Sequence, residues 1–331
     1  MLQKIKKFFQ ENHKFLILIL VIFSVFHIEL PYKIYTPGGM VNLENRIETE
    51  NGYSSEGEIG MAYVSMVKGS IPFLLLSYIL PDWDIIPVSE LTGGMESFEE
   101  AFEKDKLATK QSIDSAIISA FRAANMNIVI KKEIVHVTYI DEQAETDLQD
   151  FDIIEKIDGK VVSSTAELKE IVTSHQIGDI VNIDVLRDGK PKQCQAKIYE
   201  QDGPKIGIAM TITYDYEESP NVELKMKESE AGPSGGLMMS LAIYNTLTEK
   251  DITNGKKIIG TGTIDIDGNV GPIGGVRYKL IGAVKKKADI FLVPEENYEE
   301  AVSVKNEKGY DIRLISVKTL EEAISELAKN V

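Results

Sequence analysis

Cys194 is the only cysteine among the 331 residues. A lone thiol excludes an intrachain disulfide framework and any multi-cysteine metal site. Histidine is almost as scarce, with His13, His27, His136 and His175 the full set. No His-Glu-x-x-His pair occurs, which argues against a zinc protease, and no G-x-x-x-x-G-K-[ST] loop points to a nucleotide-driven motor. No dinucleotide fingerprint surrounds the glycines. The chain is therefore expected to use no metal, cofactor or nucleotide. Basic charge is also short: 36 Lys and Arg face 52 Asp and Glu, for a net charge of −16. Phosphate binding needs a basic face, so a nucleic-acid partner is not expected. Hydrophobic content of 43% and charged content of 27% describe a folded protein, long enough for two or three cores.

What is present begins with an N-terminal apolar run, Phe15-Leu16-Ile17-Leu18-Ile19-Leu20-Val21-Ile22-Phe23-Ser24-Val25-Phe26, preceded by Lys4, Lys6, Lys7 and Lys14. A bilayer core needs roughly 20 helical residues. The strict run is shorter, but residues 15–30 with Phe8 and Phe9 as interfacial flanks come close, and lysines can snorkel. The run predicts a cytoplasmic tail and transmembrane anchor over residues 1–30. Its basic flank puts the N-terminus in the cytoplasm and the rest of a single-pass membrane protein outside the cell. A cleaved signal peptide is the alternative, but no small-x-small site follows the run.

Residues 31–125 read as a small mixed segment. Residues 61–67 alternate like a strand, and residues 111–124 carry helical periodicity. The apolar stretch 71–80 is too short to span a bilayer and reads as part of the domain core, with a patch resting on the membrane surface as the other reading. Residues 126–202 form the next unit. Residues 127–140 are rich in β-branched types, and Asp158-Gly159 and Asp188-Gly189 mark tight turns. Ser164-Thr165-Ala166-Glu167 is a capping box that opens a helix with Leu168, Ile171 and Val172 on one face. Residues 203–331 alternate helix and strand, which predicts a compact α/β domain.

The chemistry-bearing residues lie in that last unit. Gly232-Pro233-Ser234-Gly235-Gly236 leaves the backbone around a serine uncrowded, and Pro233 fixes φ just before it. A helix starts at or just after Ser234, so its free N–H groups and positive dipole end could face an oxyanion. A serine needs a base to act as a nucleophile. His13 and His27 flank the apolar run, and His136 and His175 belong to another unit. Lys279, within Gly274-Gly275-Val276-Arg277-Tyr278-Lys279, lies on an apolar helix and remains the available base. It must be buried to be neutral near pH 7. A glycine-rich turn beside an ordinary lysine is the bland reading.

Two resemblances add to this. "LQDFDIIEKIDGKVVSSTAELKEIV" resembles the PDZ domains of bacterial proteases, although Phe151-Asp152 replaces the usual Gly-Asp. That implies an edge strand beside a helix, to which an extended peptide can add; a spacer that binds nothing is the other reading. "GPSGGL", "GTGTIDIDGNVGPIGG", "VRYK" and "ADIFLVPEEN" resemble the Lon-type serine proteases. The whole chain is similar to the membrane-anchored PDZ-domain Lon-type proteases of Gram-positive bacteria (the SepM-like group). The resemblance implies Ser234 as nucleophile, Lys279 as general base and Thr261 as the threonine near the lysine, with Gly232, Pro233 and Gly235 in support. Gly235 stands where the family usually has Ala, and Ala231 where many members have Asp; the glycine register selects Lys279 over Arg277. The implied fold class is α+β multidomain: a transmembrane helix, a small mixed domain, a PDZ-like β-rich domain and a Lon-type α/β proteolytic domain. The implied activity is ATP-independent endopeptidase cleavage of extracytoplasmic peptides or proteins, including signalling peptides. The alternative is a non-catalytic peptide-binding scaffold. A homo-oligomer stays open.

Overall fold

The computed structural model describes residues 2–91, 97–227, 230 and 232–329. The N-terminal part runs α1 (Leu2–His27), β1 (Tyr32–Asn42), β2 (Ile47–Thr49), β3 (Glu58–Lys68), α2 (Ile71–Ser77), β4 (Asp84–Pro87), α3 (Val88–Leu91) and α4 (Phe98–Ala123). The middle part runs β5 (Asn127–Ile140), β6 (Ile153–Ile157), β7 (Lys160–Val161), α5 (Thr165–Thr173), β8 (Ile180–Arg187), β9 (Lys190–Lys197), β10 (Tyr199–Glu200), β11 (Pro204–Lys205) and β12 (Ile208–Ser219). The last part runs β13 (Val222–Leu224), α6 (Gly236–Leu247), β14 (Lys257–Gly260), β15 (Thr263–Ile264), β16 (Val270–Gly271), α7 (Val276–Lys285), β17 (Ile290–Pro294), α8 (Tyr298–Lys308), β18 (Arg313–Val317) and α9 (Leu320–Ala328).

One six-stranded sheet has the order β18-β17-β14-β3-β1-β4. β14 pairs in parallel with both β17 and β3, so strands from opposite ends of the chain meet at its centre. Alternation buries both faces. Ile59, Met61, Ile258 and Leu292 pack with α4, α6 and α9. Ala62, Ile259 and Phe291 face the other way and pack with α7 and α8. This period of two is what a sheet covered on both sides requires. The mixed segment 31–125 is therefore no separate domain: β1, β3, β4 and α4 are parts of the same α/β unit as β14, β17 and β18.

The second sheet, β12-β5-β6-β8-β9 with β7 on β6, has its own core of Val135, Ile154, Leu168, Ile183 and neighbours. β12 pairs with β5 along its whole length, from Ile208 opposite Ile140 to Ser219 opposite Asn127. Residues 208–219 thus belong to this β-rich unit, which is inserted between α4 and β13 of the α/β unit. Asp158 and Gly159 take φ of 47° and 76°, as the turn signal predicts. The Ser164 hydroxyl accepts from Glu167 N at 3.2 Å, but the Glu167 carboxylate accepts from Ser163 N at 2.7 Å rather than from Ser164.

Two N-terminal expectations are corrected. α1 forms, yet among the described residues no helix is long and apolar enough to cross a membrane. Its apolar stretch, residues 15–26, rises about 18 Å at ~1.5 Å per residue, against a hydrocarbon core of about 30 Å; Gln10, Glu11, Asn12 and His13 precede it. The stretch 71–80 is not core: Leu75 is 61% exposed, Tyr78 82% and Ile79 77%. It lies beside α1, β1 and β4.

Candidate active site

Ser234 sits on a single 3-10 turn, Pro233–Gly235, that leads directly into α6. Gly232 enters the turn at φ 130°, a conformation that favours glycine. A Cβ on Gly235 would lie 2.5 Å from Met61 Sδ, so Met61 of β3 occupies the space an alanine methyl needs. The Ser234 carbonyl accepts from Gly262 N at 2.8 Å and from Thr261 Oγ1 at 2.9 Å.

Thr261 owes its place to a break in a strand. The run 258–264 is split: β14 ends at Gly260 and β15 starts at Thr263. Thr261 N still donates to Leu292 O of β17 at 3.1 Å, which ties the break to the sheet. Its side chain is fully buried and accepts from Lys279 Nζ at 3.2 Å. Ser234 and Lys279, carried by helices on opposite faces of the sheet, are thus joined through one threonine just past the carboxyl end of a central strand. Open α/β sheets place their ligand sites at such strand ends.

Lys279 is 4% exposed. Burial pushes its ammonium down from 10.5 to about 8, because the charged form loses its hydration. The helix is seated by a glycine contact. β1 bulges between Pro37 and Met40, and a Cβ on Gly282 of α7 would lie 3.0 Å from the Gly38 carbonyl carbon. Arg277 faces away from the site: its guanidinium donates to Asp82 Oδ1 at 2.7 Å and to Glu307 Oε2 at 2.7 Å. Burial opposes ionisation of Asp82, but hydrogen bonds from Lys308 and Arg277 hold its carboxyl below the usual range. Tyr278 Oη donates to Asp84 Oδ2 at 2.6 Å.

Gly232, Ser234, Gly235 and Lys279 line one cavity of 580 Å³. Its other wall comes from β1 and β3, and Arg46, paired with Glu230 at 2.8 Å, stands at its side. Sequence reasoning missed this wall. The alternation of residues 61–67 showed a strand, but nothing in it showed the partner. It also missed Thr109 and Ser112 of α4, which touch the turn that carries Ser234. Ala231, set against the family's Asp, lies outside the described residues. Of the histidines in the inserted unit, His136 bonds Thr213 and His175 bonds Asp158.

A larger cavity of 680 Å³ lies in the inserted unit, between α5 and the start of β12. Ala166, Leu168 and Val172 form one side and Ile208, Ala209 and Met210 the other. β12 is an edge strand of its sheet, so this groove has the form the sequence predicts for strand addition.

Comparison with known sequences finds two domain types, with bounds that do not coincide with those of the two structural units. The Lon protease (S16) C-terminal proteolytic domain matches residues 225–329, and the PDZ domain matches residues 108–198. Among curated proteins, a Lon protease of Desulfatibacillum aliphaticivorans is 34% identical over 95 residues, covering 29% of this chain and 11% of that protein. A Lon protease of Campylobacter jejuni is 30% identical over 131 residues, covering 37% of this chain and 16% of that protein. The chain thus spans only a small part of these relatives' length. Among solved structures, the PDZ domain of an SdrC-like protein from Listeria monocytogenes is 28% identical, with 23% of this chain and 85% of that chain covered and a TM-score of 0.22. This chain therefore carries a PDZ domain and a Lon-type (S16) C-terminal proteolytic domain, the domain of a serine peptidase, and is a distant relative of the Lon proteases.

Proposed function

We propose that the chain is an ATP-independent serine endopeptidase that uses a Ser234–Lys279 dyad. The observation that carries this reading is the burial of Lys279 beside Thr261, in the cavity that Ser234 lines. With a pKa of about 8, an appreciable fraction of the amine is neutral near pH 7. The neutral amine takes the proton from Ser234 Oγ as that oxygen bonds to the scissile carbonyl carbon. The resulting ammonium returns the proton to the leaving amine as the C–N bond breaks, giving an acyl-enzyme. A water then attacks the ester carbonyl carbon, the amine takes the water's proton, and the ammonium gives it to Ser234 Oγ as the ester C–O bond breaks, restoring the serine hydroxyl and the neutral amine. The dipole end of α6 favours negative charge at the reacting oxygen.

The PDZ groove would hold an extended segment of the substrate and supply binding remote from the cut bond. Peptides or proteins outside the cell are the proposed substrates, as the resemblance to the membrane-anchored PDZ-domain Lon-type proteases implies; Lys4, Lys6, Lys7 and Lys14 before the apolar stretch of α1 suit contact with a membrane surface. Digestion of the intact protein by external protease on wall-less cells tests the location, and a fully protected C-terminus would refute it. The activity is tested with purified protein and a mixture of unstructured polypeptides, with cleavage sites read by mass spectrometry. Cleavage that disappears in Ser234→Ala and in Lys279→Ala supports the dyad. Cleavage retained in either variant refutes it.

A further inference from the structure

The turn carrying Ser234 is built from glycine on three sides, with Gly232 before it and Gly235 and Gly236 after it. Such a segment has more backbone freedom than most, so its native geometry must be held from outside. Thr261 and Gly262 hold it on one side, at the Ser234 carbonyl. α4 holds it on the other. Gly232 N donates a short hydrogen bond of 2.5 Å to Thr109 Oγ1. Ser112 Oγ donates to Pro233 O at 3.1 Å. Three consecutive backbone positions are thereby fixed, at the nitrogen of 232 and the carbonyls of 233 and 234.

Thr109 and Ser112 are three residues apart on a helix and so share a face. That face continues through Ala116, whose carbonyl accepts from Ser240 Oγ at 3.2 Å, and Ser119, whose Oγ lies 2.7 Å from Ser240 Oγ. Small side chains along this line let α4 approach α6 closely. Only the first two reach the turn itself; Ser119 meets α6 beyond it.

We propose that Thr109 and Ser112 are positioning residues for Ser234: they lock the nucleophile turn so that Oγ is presented to the lysine and to the substrate carbonyl. Their catalytic effect rests on the peptidase reading above; their effect on the turn does not. A displacement of the nucleophile by a fraction of an ångström is expected to slow acylation strongly while leaving substrate binding largely intact. The same hydroxyls also satisfy buried backbone groups, a purely structural role. Ser119→Ala separates the two roles, because it removes a buried hydrogen bond from the same face without touching the turn.

The test compares full-length wild type with Thr109→Val, Thr109→Ser, Ser112→Ala and Ser119→Ala. Three readouts are needed: kcat and KM on a cleavable peptide, thermal midpoint, and hydrogen exchange of the backbone amides at positions 232–237. Thr109→Val and Ser112→Ala should lower kcat by about ten-fold or more with KM nearly unchanged, and should speed exchange in the turn. Thr109→Ser should restore both. Ser119→Ala should lower the midpoint but leave kcat and turn exchange near wild type. Equal kcat losses in all three hydroxyl-deleting variants, in proportion to their midpoints, would overturn the assignment, as would unchanged turn exchange. If wild type shows no Ser234-dependent cleavage, the peptidase reading fails, and the exchange data still decide whether α4 positions the turn.

Discussion

Lys279 Nζ donates to Thr261 Oγ1 at 3.2 Å, and the same hydroxyl donates to the Ser234 carbonyl at 2.9 Å. The threonine therefore orients the amine and the nucleophile turn with one oxygen. Thr261→Val keeps the shape and removes that oxygen. It should lower kcat by about ten- to hundred-fold, because both partners lose their alignment. The steady-state rate of the purified variant, with its fold checked by circular dichroism, decides this. A rate within two-fold of wild type would remove Thr261 from the site.

The buried amine sets a pH profile. Only neutral Lys279 accepts the serine proton, so kcat/KM should rise with pH and level off above about 8. A profile whose rising limb centres near 6.5 would point to a histidine base instead.

The same burial opposes stability. The folded amine has a pKa of about 8 against 10.5 for the free group. Between these values the unfolded chain binds more protons, so stability rises with pH across that window. Below pH 8 the penalty is fully present, at about 3 kcal/mol from a shift of that size. Lys279→Met should therefore be inactive yet more stable than wild type at pH 7, with the gain fading between pH 8 and 10.5. Urea unfolding at pH 7 and pH 10 measures both halves; a variant less stable at pH 7 would contradict the prediction.

Gly38 controls the seat of α7. A Cβ there would lie 2.1 Å from the Tyr63 carbonyl oxygen, in backbone that cannot swing aside. Gly38→Ala should force β1 from β3, cost several kcal/mol and lower activity together with stability. A thermal midpoint equal to wild type would show that the bulge relaxes.

Phe151 holds φ at 70°, a left-handed conformation that is costly for a bulky residue. The position is the one where the PDZ pattern usually has glycine. Phe151→Gly should stabilise the inserted domain by about 1 kcal/mol, the steric relief being partly offset by greater freedom in the unfolded chain. Denaturant unfolding is the check, and a clear loss of stability would mean that the half-exposed ring packs usefully.

Much of the local structure was legible in the residues. Asp158-Gly159 and Asp188-Gly189 form their turns because these residues tolerate positive φ. Ser164 and Thr319 begin α5 and α9 because their hydroxyls accept the amides of Glu167 and Glu322. α6 begins at Gly236, immediately after the glycine-rich turn. Ser234 and Lys279 could be singled out because Gly232-Pro233-Ser234-Gly235-Gly236 and Lys279 combine residue types that acyl transfer needs, and the structure puts both on one cavity.

What the residues alone determined were periodicities, turns, caps and a short set of reactive side chains, all consequences of neighbours within one or two turns of chain. Only the tertiary structure decided which strands share a sheet. A strand's alternation shows that it has a buried face but carries no label for its partner, so β3 could not be assigned beside β14, which lies far along the chain. That pairing makes the segment 31–125 part of the proteolytic unit, inserts the PDZ domain between α4 and β13, and brings Met61, Thr109 and Ser112 to the nucleophile turn. It also sets the pKa of Lys279: an apolar helix face can be read from sequence, but the desolvation that lowers the amine to about 8 exists only where the bulge at Gly38 lets α7 close against β1.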